Sequence, residues 1–195
     1  MLLDREEYIE QAYFFETLRA RIEDGRSTQD VLQMVRHELL ATSRLPMAID
    51  FMVSEIRHAG SLHSAMKRLS HYFTSFQTYI MEEAEKEDGR FDFLIALLIL
   101  QREAEYRADT PDVQGVFFFQ FETLCRNRLR YDPGLAAMAG DPVYDKAWSD
   151  WILTVRRQIG LVDFADMVYV RSSHYQRKPG QEDIPVLFGE REGKI

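Results

Sequence analysis

Apolar residues recur with the period of an α-helix along the first 160 positions, and the breaks between runs carry helix-boundary residues. In residues 4–24, Tyr8, Phe15 and Ile22 fall seven apart, with Phe14 and Leu18 on the same side. Asp4 followed three positions later by Glu7 has the form of a capping box, and Gly25 closes the run. Ser27 or Thr28 opens a second helix carrying Val31, Leu32, Val35 and Leu39. Pro46 suits the first turn of a third, where its missing N–H has no helical acceptor. That helix shows Ile49, Met52, Val53 and Ile56 on one stripe and ends at Gly60. Leu62, Ala65, Met66 and Leu69 mark a short fourth helix, and a fifth starts near Thr74 with Phe76, Tyr79, Ile80 and Ala84 inward.

Asp88-Gly89 separates this from a sixth helix over 90–107. Its first half, Phe91 to Leu100, is apolar on nearly every side, which predicts a helix surrounded by others at the centre of the fold. Thr110-Pro111-Asp112 opens an aromatic-rich helix over 112–130. The turn Tyr131-Asp132-Pro133-Gly134 leads to a short helix through Ala139, and Asp141-Pro142 opens the last long helix, 142–159. Tyr144, Ala147, Trp148, Trp151, Ile152, Val155 and Ile159 share one of its faces, and Gly160 stops it. Beyond it, Met167–Val170 and Pro185–Phe188 are β-branched or aromatic runs that read as strands, and Arg177–Asp183 reads as an exposed loop. The expected fold is mainly α, a multi-helix antiparallel bundle of about 7–9 helices with a small C-terminal extended or β-hairpin segment. The helical domain spans 1–160; residues 161–195 form an appendage packed on it, whose uncapped ending suits a fragment of a longer chain.

At 195 residues, with 46% apolar and 29% charged positions, the chain has ordinary globular composition and the length for one core. The net charge of −8 disfavours a polyanion, so nucleic acid is not expected as a partner. One cysteine allows no intramolecular disulfide, and residues 1–10 lack the pattern of a secretory leader, which reads as cytoplasmic. The longest apolar run falls far short of the ~20 residues of a membrane span.

Among sites with recognisable chemistry, the chain carries no Walker or dinucleotide glycine loop, no Gly-x-Ser-x-Gly, no His-Glu-x-x-His and no Cys-x-x-Cys. Glu55-x-x-His58 is half of a helical di-metal motif whose second half is missing; His58 reads better as a last-turn residue facing the negative helix end. His63 and His71 read as surface residues, and neither metal nor cofactor is expected. The run Glu82–Asp88 places carboxylates against the helix dipole and reads as a solvated face. Arg126 and Arg130 share a face of the expected 112–130 helix and form a candidate anion clamp, although pairing with the abundant Glu explains them as well. Cys125 continues a stripe with Phe118 and Phe121 and reads as buried and inert.

Phe117-Phe118-Phe119-Gln120-Phe121 is the most unusual stretch, because four phenylalanines in five helical positions point in directions that one core cannot all face. Phe117, Phe118, Phe119 and Phe121 are therefore a candidate interface, with a homodimer as the first arrangement to test. The sequence contains no catalytic constellation. Its best functional reading is a non-enzymatic helical interaction or scaffold module that binds a protein partner or itself. The rival is a helical-bundle enzyme or a protein binding a small ligand or metal between helices, anchored by Glu55/His58 or Arg126/Arg130.

Overall fold

Helix-boundary chemistry sets most of the architecture in the computed structural model, which describes residues 2–40, 42–87, 89, 91–172 and 174–175. Ten helices and no strand form among these residues: α1 (Arg5–Glu23), α2 (Thr28–Arg36), α3 (Leu45–Ala59), α4 (Leu62–Arg68), α5 (Ser75–Ala84), α6 (Phe93–Ala108), α7 (Val113–Arg126), α8 (Tyr131–Ala139), α9 (Lys146–Gln158) and α10 (Phe164–Tyr169). The mainly helical reading holds. Ser27 accepts from Asp30 N to cap α2, Pro46 sits in the first turn of α3, and Gly60 ends α3 in the left-handed region at φ 73°. Thr74 and Gln77 complete a capping box on α5. None of these helices is long and apolar enough to cross a membrane.

α1 and α6 form the central pair and run antiparallel: Arg5 Nε, at the start of α1, donates to the carbonyl of Ala108 at the end of α6, 3.1 Å away. Phe14, Phe15 and Leu18 of α1 are fully buried. α2 and α3 pack on each other and on α1, and α4 links α3 to α5. α5 lies against α6 and α8, and α8 against α7 and α9. Gly134 permits the close approach of α8 to α7: a Cβ there would lie 2.7 Å from Cδ2 of the buried Leu124.

Three expectations are corrected. Asp4 makes no side-chain cap, since Glu7 N donates to the Asp4 carbonyl instead, and the Glu7 carboxylate is used elsewhere. Its Oε1 accepts from Arg44 N (2.8 Å) and Nε (3.2 Å), and its Oε2 from the Tyr72 hydroxyl (2.8 Å). Glu10 likewise accepts from Leu40 N and Ser43 Oγ, so α1 carboxylates satisfy the backbone leading into α3. Second, the apolar first half of α6 is not its most buried part. Ile95 is 41% exposed, whereas Gln101, Glu103 and Arg107 are buried, because α7 and the turn at Asp141 close over the C-terminal half. Third, Met167–Val170 is not a strand. Asp163 caps α10 by accepting from Ala165 N, and the helix buries Met167 while stacking Phe164 on Phe121. Tertiary packing outweighs the β-propensity of two valines. The runs Arg177–Asp183 and Pro185–Phe188 lie outside the described residues.

Candidate functional site

Asp112 caps α7 by accepting from Gly115 N, and Val116, Phe117, Gln120, Thr123 and Leu124 form the helix's buried face. Asp145 caps α9 by accepting from Trp148 N, which directs Trp148 and Trp151 toward that face. The Phe117 ring centroid lies 4.9 Å from Trp151 and 5.8 Å from Trp148, and the two indoles meet edge to face at 5.3 Å. Phe164 of α10 stacks on Phe121 at 4.3 Å and reaches within 6.2 Å of Phe117. Aromatic pairs in such offset and edge arrangements add about 0.5–1.5 kcal/mol each beyond area burial.

An open groove of about 630 Å³ lies between these helices and the segment after α10. Phe117, Phe118, Trp148 and Trp151 make its walls, and the small Ala147 leaves room between them. Val168 adds apolar surface, while Gln114, Arg171 and Ser172 supply the polar atoms. Among the described residues lining it, Arg171 is the only ionisable one.

Behind the aromatic wall lies a buried polar network. Arg107 Nη2 donates to Glu103 Oε1 (2.9 Å) and Asp141 Oδ2 (2.5 Å). Gln120 Nε2 donates to the same two oxygens at 3.0 Å, and the Tyr144 hydroxyl donates to Gln120 Oε1 at 2.8 Å. Two carboxylates thus share one cation. Burial works against the Arg107 charge, but Glu103 and Asp141 outweigh it and hold the guanidinium above its already high ordinary range. Burial, reinforced by Asp141, pushes the Tyr144 phenol above its usual range, so it stays a donor. The Tyr144 ring lies 6.0 Å from Trp148 and ties the network to the groove wall. Sequence periodicity does not single out Glu103, Arg107 or Gln120, since it marks apolar stripes and not which polar side chains meet across helices. The only signal was the i, i+4 spacing of Glu103 and Arg107 on a helix expected to be central.

The four phenylalanines divide. Phe117 belongs to the core, a correction to its place in a candidate interface: Trp148, Trp151 and Phe164 cover it. Phe119 stacks on Tyr106 and Phe121 on Phe164, both half-buried within the chain. Phe118 alone is exposed, at 48%.

Arg126 and Arg130 do not share a helical face. α7 ends at Arg126 in a Schellman motif: Leu129 N donates to Leu124 O, Arg128 N donates to Cys125 O, and Arg128 takes the left-handed φ of 54°. Arg126 then pairs with Glu122 and Arg130 with Glu83, so each has its own carboxylate.

Cys125 is exposed rather than buried, a correction: the core face of α7 passes through Leu124, and Cys125 turns outward toward the Tyr131 hydroxyl, 3.5 Å from Sγ. That hydrogen bond, then partial burial, raises the Tyr131 phenol. The acidic run is not a purely solvated face either. Glu83 is buried and bound by Lys86 and Arg130, and Glu85 accepts from Leu62 N, His63 N and His63 Nδ1. Glu55 pairs with Arg68 and His58 is exposed; no cluster of three metal-ligating side chains occurs among the described residues. Comparison of the chain with protein family models, with curated proteins and with solved structures finds no match.

Proposed function

We propose that the chain is a non-enzymatic binding module and that the aromatic groove between α7, α9 and α10 receives the apolar part of its partner. The observation carrying this reading is an aromatic wall beside an open space, with Trp148 part-exposed and Phe118 half-exposed at its surface and Phe117 and Trp151 buried behind them. Sites that bind by contact are concave, aromatic-lined and supplied with few polar groups, and the volume falls in their ~300–1,000 Å³ range. Among the described residues, the lining includes no carboxylate, imidazole or thiol to act as base or nucleophile. A cytoplasmic setting belongs to the proposal, supported by the exposed thiol of Cys125, which an oxidising compartment would leave open to intermolecular disulfides.

The test uses N-phenyl-1-naphthylamine, an uncharged dye that brightens in apolar sites. The full chain is expected to enhance its fluorescence saturably, and Trp148→Ala is expected to weaken binding about tenfold with the helical circular dichroism unchanged. No saturable enhancement, or binding indifferent to Trp148→Ala, overturns the proposal. A second reading, self-association, is favoured by the exposure of Phe118 alone. It expects a two-chain mass by light scattering at high micromolar concentration, reduced to one chain by Phe118→Glu; a one-chain mass for the unaltered protein removes it.

A further inference from the structure

We propose that the ligand of this groove is an amphipathic anion: a flat aromatic or compact aliphatic body against the aromatic walls, with one carboxylate or sulfonate-like group on Arg171. The inference rests on the reading of the groove as the binding site and adds the chemistry of what enters it.

Charge complementarity carries it. The chain has a net charge of −8, a field that repels anions over most of the surface. Its surface cations are largely matched: Arg21 with Glu38, Arg36 with Asp50, Arg130 with Glu83, Arg156 with Asp132. Arg171, like Arg5, Arg26, Arg57, Lys67, Arg128 and Arg157, has no carboxylate partner among the described residues, and of these it alone lines the groove, where it is the one ionisable side chain among the described residues. The groove is thus a cationic spot on an acidic protein. Arg171 is exposed beside the apolar walls, so its attraction for an anion is that of a solvent-facing guanidinium and is sensitive to salt. The guanidinium fork fits a planar carboxylate in two-point fashion, and the Gln114 amide is a further donor in the same lining, whereas the Ser172 hydroxyl already donates to the Tyr169 carbonyl. The body of the ligand is apolar because its walls are: phenyl and indole faces recognise a ring or a short alkyl chain.

Two dyes isolate the anionic group. 8-Anilinonaphthalene-1-sulfonate is N-phenyl-1-naphthylamine carrying one sulfonate. With the full chain at low ionic strength, the sulfonated dye is expected to bind about tenfold more tightly than the neutral one. The advantage shrinks at roughly 0.5–1 M salt, where charges are screened within a few ångströms. Arg171→Gln is expected to abolish the advantage while leaving the neutral dye unaffected, and Arg171→Lys to retain part of it. Trp148→Ala weakens both dyes, which places them in the groove. Equal binding of the two dyes to the unaltered chain, with both weakened by Trp148→Ala, overturns the anionic assignment and leaves the groove as an apolar site. An advantage that survives Arg171→Gln overturns it as well, because the sulfonate is then held elsewhere. Failure of both dyes to bind overturns the inference together with the reading beneath it.

Discussion

Replacing Arg107 by methionine keeps a long flexible side chain in place and removes the one cation of the network that Glu103 and Asp141 share. Arg107 is 5% exposed and Glu103 1%, so no water-facing rearrangement restores the lost partner. Glu103 Oε1 and Asp141 Oδ2 are left with Gln120 Nε2 as their common donor. Removing one partner of a buried ion pair costs about 3–5 kcal/mol, most of it the uncompensated charge left behind. With a urea m-value of about 2–3 kcal/mol/M for a chain of this size, the midpoint should fall by about 1–2 M. Glu103→Gln is the informative companion, since it leaves one carboxylate for one guanidinium and keeps the shape. It should cost under about 1 kcal/mol, the scale of a neutral hydrogen-bond exchange. Combining the two should cost less than the sum, by about 1–2 kcal/mol, because the second change removes a charge the first stranded. Urea unfolding followed by tryptophan fluorescence and circular dichroism measures all three. Arg107→Met within 1 kcal/mol of the unaltered protein, or Glu103→Gln as damaging as Arg107→Met, would refute the reasoning.

Two further outcomes are expected. Cys125 should react with a thiol reagent in the native protein at a rate close to that in denaturant, since it is exposed; strong native-state protection contradicts its position. Glu83 sits where burial opposes its charge but Arg130 and Lys86 more than offset this, lowering its carboxyl below the usual 4.5. Its contribution to stability is therefore complete above that value and lost as pH falls through the lower folded value. Glu83→Gln should flatten the acid side of the stability profile below about pH 4.5, read from urea midpoints between pH 3 and 6; an unchanged slope counts against the pairing.

Most helices were legible because their ends carry local chemistry. Ser27, Pro46, Gly60, Thr74 and Asp112 mark boundaries through groups within a turn or two of themselves, whereas Asp141-Pro142 does not open the last long helix: Asp141 binds Arg107 and Asp145 caps α9. The misreadings arose where a side chain serves a distant segment. Glu7 looks like part of a cap for α1, yet its oxygens go to Arg44 and Tyr72, 37 and 65 positions away. Glu85 looks like an ill-placed charge until α4 is seen to offer it two N–H groups. Cys125 and Leu124 are neighbours on α7, and only the direction from which α8 arrives decides which is buried. The aromatic wall was half visible as an excess of phenylalanine. Its partners Phe164, Val168 and Arg171 were not, because the short α10 has too few residues to show a period.

The pairing of α1 with α6 bears on the order in which the protein is made. Ala108 follows Glu23 by 85 positions, so at about 5–20 residues per second the ribosome needs roughly 4–17 s between finishing one partner and finishing the other. Throughout that interval Phe14, Phe15 and Leu18 lack the helix they are built to face. α2 and α3 emerge meanwhile and cover part of α1, while Glu7 and Glu10 can already engage the 40–44 connection. A nascent chain arrested before α6 has left the exit tunnel is thus a natural client for a chaperone that recognises exposed aromatic and aliphatic side chains, and slowing translation within α6 lengthens its exposure.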